Sequence, residues 1–169
     1  MSAITEFSSA VRTRRADMGL TQTALAGLSG LSRATINQLE NGTLQDLSLK
    51  RVARLLGVLG LSVHVTAPRA KSQRPTAPQR SALDLAAGTA SVSYRTAMSA
   101  EQLREVFRSK VAPDELRPHL STLLDEAPMS LLASAVEELH AELGVERTQI
   151  WKQMRDLARQ LKTSRSLWL

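Results

Sequence analysis

The 169-residue chain contains no cysteine. That excludes a disulfide framework and a thiolate metal site. Its three histidines, His64, His119 and His140, are too scattered to suggest a zinc site. No apolar run reaches the roughly 18 residues that a membrane span requires. The first thirty positions lack a signal-peptide pattern, because Arg12, Arg14 and Arg15 follow the apolar residues instead of preceding them. A reducing, cytoplasmic setting is therefore expected. Aromatic residues are only 3% of the chain. The core must then be built from Leu, Val, Ala, Ile and Met, and such a Gly-poor sequence favours helices. A Gly-rich phosphate loop, a nucleophile with its base and a metal-ligand set are all missing. Asp125-Glu126 and Glu137-Glu138 are paired carboxylates, but neighbours in a helix do not converge on one site. Neither catalysis nor a cofactor nor a metal is expected.

What the chain does have is uneven basic charge. Its net charge is +6. Residues 1–66 carry +3, residues 82–146 carry −6 and residues 147–169 carry +5. Between them, residues 67–81 hold four basic residues, three prolines and no large apolar side chain. Such a stretch cannot bury enough surface to offset its ordering entropy, so it reads as a basic flexible linker. Two domains are expected, at 1–66 and 82–169.

In the first, Ile4, Phe7, Val11 and Met18 fall at helical spacing, and Gly19 suits a C-cap. Thr21 and Ser32 can cap a second and a third helix, with Gly30 between them. Ser48 can cap a fourth, with Leu49, Val52, Leu55, Leu56 and Leu59 on one face. After Gly60 the alternation of Leu61, Val63 and Val65 with polar residues reads as a half-buried strand. In the second, residues 91–96 read as a short strand, and Ser99 with Gln102 as a capping box. Pro113, Pro118 and Pro128 suit first turns of helices. Apolar faces at Leu120, Leu123 and Leu124, at Leu131 to Leu143, and at Ile150, Met154, Leu157 and Leu161 complete a bundle of about four helices.

Residues 20–42 are the most informative. Ala26 lies four before Gly30, where two helices must cross closely, and Leu25, Leu31, Ile36 and Leu39 wedge them together. The opposite face of the third helix is polar, with Ser32, Arg33, Thr35, Asn37 and Gln38 around Ala34. Such side chains match the donor and acceptor patterns of base edges in the major groove. Through Thr21-Gln22, Leu25-Ala26, Gly30, Ile36 and Leu39-Glu40-Asn41-Gly42, the segment resembles the XRE-family helix-turn-helix of phage repressors and Cro proteins. The resemblance covers about residues 5–65. It implies a recognition helix from Ser32 to Glu40 and phosphate contacts at Gln22 and Asn41. Ala24 departs from the Glu often found there. Arg33 is the base-contact candidate, or else a phosphate contact; Arg12, Arg14 and Arg15 either face phosphate or are solvated.

A strand directly after such a domain resembles the HipB-like antitoxins. This implies a homodimer that pairs Leu61, Val63 and Val65 across a two-fold axis. Pairing would also remove an unsatisfied strand edge and set two recognition helices one DNA turn apart. The resemblance further implies double-stranded operator DNA and a toxin protein as partners. The alternatives are a prophage-type repressor without a toxin and an inhibitory protein-binding module. Residues 139–154 look like a second, imperfect helix-turn-helix, with bulky His140 where close crossing is needed. The second domain is therefore expected to bind a partner protein, or else DNA or an effector, or to serve only oligomerisation. Trp151 either packs on the bundle or faces a partner, and the tail residues Leu167, Trp168 and Leu169 either dock back or anchor one.

The expected fold is thus all-α: an N-terminal helix-turn-helix domain of four to five helices with a short dimerising β-strand, a linker and a C-terminal helical bundle.

Overall fold

The computed structural model describes residues 3–63, 80–94 and 96–168, and all regular structure among them is helical. The first half contains α1 (Ala3–Asp17), α2 (Gln22–Ser29), α3 (Arg33–Glu40) and α4 (Leu49–Leu59). The second contains α5 (Ala82–Ser91), α6 (Ala100–Ser109), α7 (Arg117–Glu126), α8 (Met129–Leu143) and α9 (Arg147–Gln160). A 3-10 turn at Asp114–Leu116 leads into α7.

The caps are where the side-chain chemistry puts them. The Thr21 hydroxyl accepts from the Ala24 N–H and the Ser32 hydroxyl from the Thr35 N–H, both at 3.0 Å. Ser99 and Gln102 form the reciprocal capping box. Pro118 lies in the first turn of α7, while Pro113 and Pro128 precede the 3-10 turn and α8 as their N-caps. Ser48 precedes α4 without a side-chain cap bond.

Several expectations are corrected. The described residues of 91–96 form no strand, because α5 runs through Ser91 and a turn follows. α5 went unread because its buried face, Leu83, Ala86, Ala87 and Ala90, is mostly alanine. Those positions have helical spacing, but small side chains do not stand out as an apolar stripe. A carboxylate holds its N-terminus: Glu138 accepts from the Ala82 and Leu83 N–H groups at 2.7 and 3.2 Å. Among the described residues, the second half therefore has five α-helices where about four were expected. Leu49, assigned to the apolar face of α4, is exposed. Leu61 and Val63 carry no regular structure within the single chain, which does not bear on pairing with a two-fold mate; Val65 and His64 lie outside the described residues, as does the expected linker apart from Arg80 and Ser81.

The two halves pack against each other. α4 lies on α8, and α1 on α9. Gly60, with φ of 65°, ends α4 against the start of α8. A Cβ there would stand 2.5 Å from the Met129 carbonyl oxygen, so only glycine permits this approach. Arg14 pairs with Glu137 across the same boundary at 3.1 Å.

The tail docks on its own bundle. Trp168 is 4% exposed, its indole N–H donates to the Leu124 carbonyl at 3.0 Å, and its ring lies 6.4 Å from that of Trp151. The Arg165 guanidinium donates to the Ala127 carbonyl at 2.7 Å, placing a cation at the C-terminus of α7. Trp151, Leu167 and Trp168, candidates for partner contact, are thus buried within the chain; Leu169 lies outside the described residues. Burial wins because an indole removes a large apolar surface from water and here also finds an acceptor for its N–H.

Candidate nucleic-acid interface

α3 is amphipathic, and its two faces have different tasks. Ile36 and Leu39 are buried against α1 and α2. Arg33, Ala34, Asn37 and Gln38 line one shallow depression on the opposite, exposed face. α2 and α3 are held at a fixed angle by Gly30, a left-handed C-cap with φ of 68°, and by the buried Leu25 and Ala26.

The polar residues of this face are not equivalent. The Ser32 hydroxyl caps α3 and lies 2.8 Å from that of half-buried Thr35, so both hydroxyls are engaged at the helix start. Asn41 donates to the side-chain carbonyl of Asn37 at 3.1 Å, leaving Asn37 its amide donors. Arg33 and Gln38 are exposed and have no side-chain partner among the described residues. They hold the groups free to meet a base edge: a guanidinium suits guanine, and an amide suits adenine.

Behind this face sits a buried ion-pair network. Glu40 ends α3 and is 7% exposed. The Arg15 guanidinium forks onto its carboxylate at 2.5 and 2.9 Å and also donates to the Leu20 carbonyl at 2.8 Å. The Gln22 amide donates to the same carboxylate at 3.0 Å. Gln22, expected to hold a phosphate, is therefore half-buried with its side chain engaged inside the protein. Burial raises the Glu40 pKa, but the hydrogen bonds from Arg15 and Gln22 and the charges of Arg15 and Arg12 outweigh it, leaving the carboxyl below its ordinary value. The network ties α1, the start of α2 and the end of α3 together. A signal for it was present in the sequence: Glu40 shares the apolar face of Ile36 and Leu39, where a charge requires a partner. The three basic residues of α1 divide accordingly, with Arg15 on Glu40, Arg14 on Glu137 and Arg12 exposed.

Residues 11–65 match the family described as Helix-turn-helix. This segment is an XRE-type helix-turn-helix. The match thus spans the C-terminal part of α1, all of α2 to α4 and the residues just beyond, and it supports a DNA-binding transcription regulator of XRE type. The match does not extend to residues 82–169. No curated protein and no solved structure matches the chain. Among the described residues, no group of three or more His, Asp or Glu could hold a metal ion, and no helix is long and apolar enough to cross a membrane.

Proposed function

We propose that the protein is a dimeric, sequence-specific transcriptional repressor that reads operator DNA with the exposed face of α3. The observation that carries this reading is the free, outward placement of Arg33 and Gln38 on a helix whose other face is locked by the Arg15–Glu40–Gln22 network. Ala34 and Asn37 complete the surface, and Ser32, Thr35 and Asn41 shape its two ends. Duplexes selected from a random pool by the full chain test it. Arg33→Ala should cost about 1–3 kcal/mol on the selected sequence and relax preference at one base position. Unchanged discrimination between selected and random duplex would take the reading role away from Arg33.

Dimerisation is assigned to Leu61, Val63 and Val65. Val63 is 58% exposed at the end of the helix-turn-helix domain, an apolar side chain that a two-fold mate would cover. Val63→Pro removes a ladder donor and fixes φ, so strand pairing should fail and operator affinity fall with no DNA contact altered. A Val63→Pro protein that light scattering shows still dimeric at micromolar concentration would move the interface elsewhere.

The biological setting we propose is that of an antitoxin. It represses its own operon through residues 1–66 and neutralises a toxin through residues 82–169, which carry no catalytic constellation that the sequence reveals. Burial of Leu167 and Trp168 favours a second reading, a prophage-type repressor, because it withdraws the apolar anchor assigned to a toxin. Co-purification from the native host separates the two: a stoichiometric protein partner supports the antitoxin, and the chain alone with its DNA supports the repressor.

A further inference from the structure

We propose that the outward face of α9 is a second, sequence-independent DNA contact, gripping the backbone beside the site read by α3. The proposal rests on the DNA reading given for α3 above.

Residues 147–169 hold six basic residues and one acidic residue. The structure sorts these charges. Arg147 is paired with Glu137 at 2.7 Å, and Arg165 is held on the carbonyls of Leu124 and Ala127. The other four, Lys152, Arg155, Arg159 and Lys162, follow one another at steps of three, four and three residues. Lys152, Arg155 and Arg159 lie on α9, where 3.6 residues per turn and 1.5 Å per residue put them within an arc of about 60° over about 10 Å, and Lys162 follows just past the helix end. Among the described residues, none of the four has a carboxylate within ion-pair distance. Lys152, Arg159 and Lys162 are exposed. The row is a basic stripe without a carboxylate partner among the described residues.

Its position identifies what it meets. Arg155 donates to the Met18 carbonyl and lies against Gly19, in the turn immediately before α2. The stripe is thereby fixed beside the first turn of the helix-turn-helix domain. Between them runs an open groove of about 560 Å³, lined by Thr21, Thr23, Arg155 and Arg159 among others. Hydroxyls on one wall and guanidiniums on the other suit phosphate oxygens. One strand of a duplex presents a phosphate about every 3.4 Å along the axis, so the roughly 10 Å row of cations on α9 faces about three. Charge within the second half supports the same occupant: residues 82–146 carry −6 and would repel a backbone, whereas the sign reverses in residues 147–169, which hold α9 and its stripe.

The test is a salt titration of the full chain on a mixed-sequence duplex and on a selected one. The variant combines Lys152→Gln, Arg159→Gln and Lys162→Asn. Asn suits the positive φ of 55° at position 162, and Arg155 is left in place because it anchors the turn. The three side chains are exposed and unpaired, so the variant should melt as the wild type does. Each lost phosphate contact should flatten the slope of log K against log salt by about 0.9, up to about 2–3 in total. Affinity should fall at least tenfold, equally on both duplexes. Neutralising Arg108, Lys110 and Arg117, on α6, just beyond it and at the start of α7, should leave the slope unchanged. An unchanged slope in the α9 variant, with Arg33→Ala still relaxing base preference, overturns this proposal and leaves the α3 reading standing. A wild-type chain that binds neither duplex overturns both. An unchanged slope together with polyglutamate binding that the variant loses would assign the stripe to an acidic polypeptide and overturn the proposal.

Discussion

Trp168→Ala is expected to destabilise the whole chain by about 3–5 kcal/mol, the usual cost of removing a buried indole. The ring is 4% exposed, packs near Trp151 and donates to the Leu124 carbonyl. Truncation opens a cavity and also leaves that carbonyl, near the end of α7, without its indole donor. For a chain of this size, each kcal/mol shifts the melting temperature by about 2–4 °C, so a drop of about 6–20 °C should appear in a circular-dichroism melt. Deleting residues 164–169 should go further. It also removes the Arg165 cation from the Ala127 carbonyl and the main-chain bonds of Ser164 and Arg165 to Asp125, at 2.8 and 3.1 Å. The alternative, an anchor for a partner, predicts a variant with wild-type melting that no longer captures that partner. A melt and a pull-down on the same protein decide between them.

Glu40→Gln should cost about 2–3 kcal/mol at neutral pH, less than the 3–5 of a fully buried pair because Arg15 keeps some contact with water. Glutamine nearly preserves the shape but leaves the Arg15 guanidinium without its counter-charge. The effect must depend on pH in one direction. The folded Glu40 pKa lies below its unfolded value. Its stabilisation is therefore fully present above the unfolded value of about 4.3 and is lost as pH falls through the folded pKa. Urea unfolding of wild type and variant should give the largest gap near pH 7 and a closing gap below about pH 4. A gap that stayed constant with pH would remove the ion pair as its cause. Because Glu40 ends α3, the variant should also weaken operator binding without touching a base-reading residue.

How much was legible in the sequence follows from the range of the forces involved. Thr21, Ser32 and the Ser99–Gln102 box act on N–H groups within three residues, so their caps could be read directly. The exposed polar face of α3 was equally legible, since helical spacing alone sets Arg33, Ala34, Asn37 and Gln38 opposite Ile36 and Leu39. α5 was not, because alanines mark a close helix contact only once the partners α7 and α8 are in place.

The residues by themselves determined an all-helical fold, an N-terminal helix-turn-helix and its outward polar face, because local hydrogen bonds and side-chain periodicity decide these. Only the tertiary structure decided which charges are free. Arg15, Arg14, Arg147 and Arg165 read alike in the sequence as basic side chains, yet each is claimed by a carboxylate or carbonyl from another element. Lys152, Arg159 and Lys162 are left exposed beside the helix-turn-helix domain. The fate of the Leu-Trp tail was decided in the same way. A terminal indole is either a surface anchor or a core residue, and the Leu124 carbonyl near the end of α7, forty-four positions earlier, supplied the acceptor that made burial favourable.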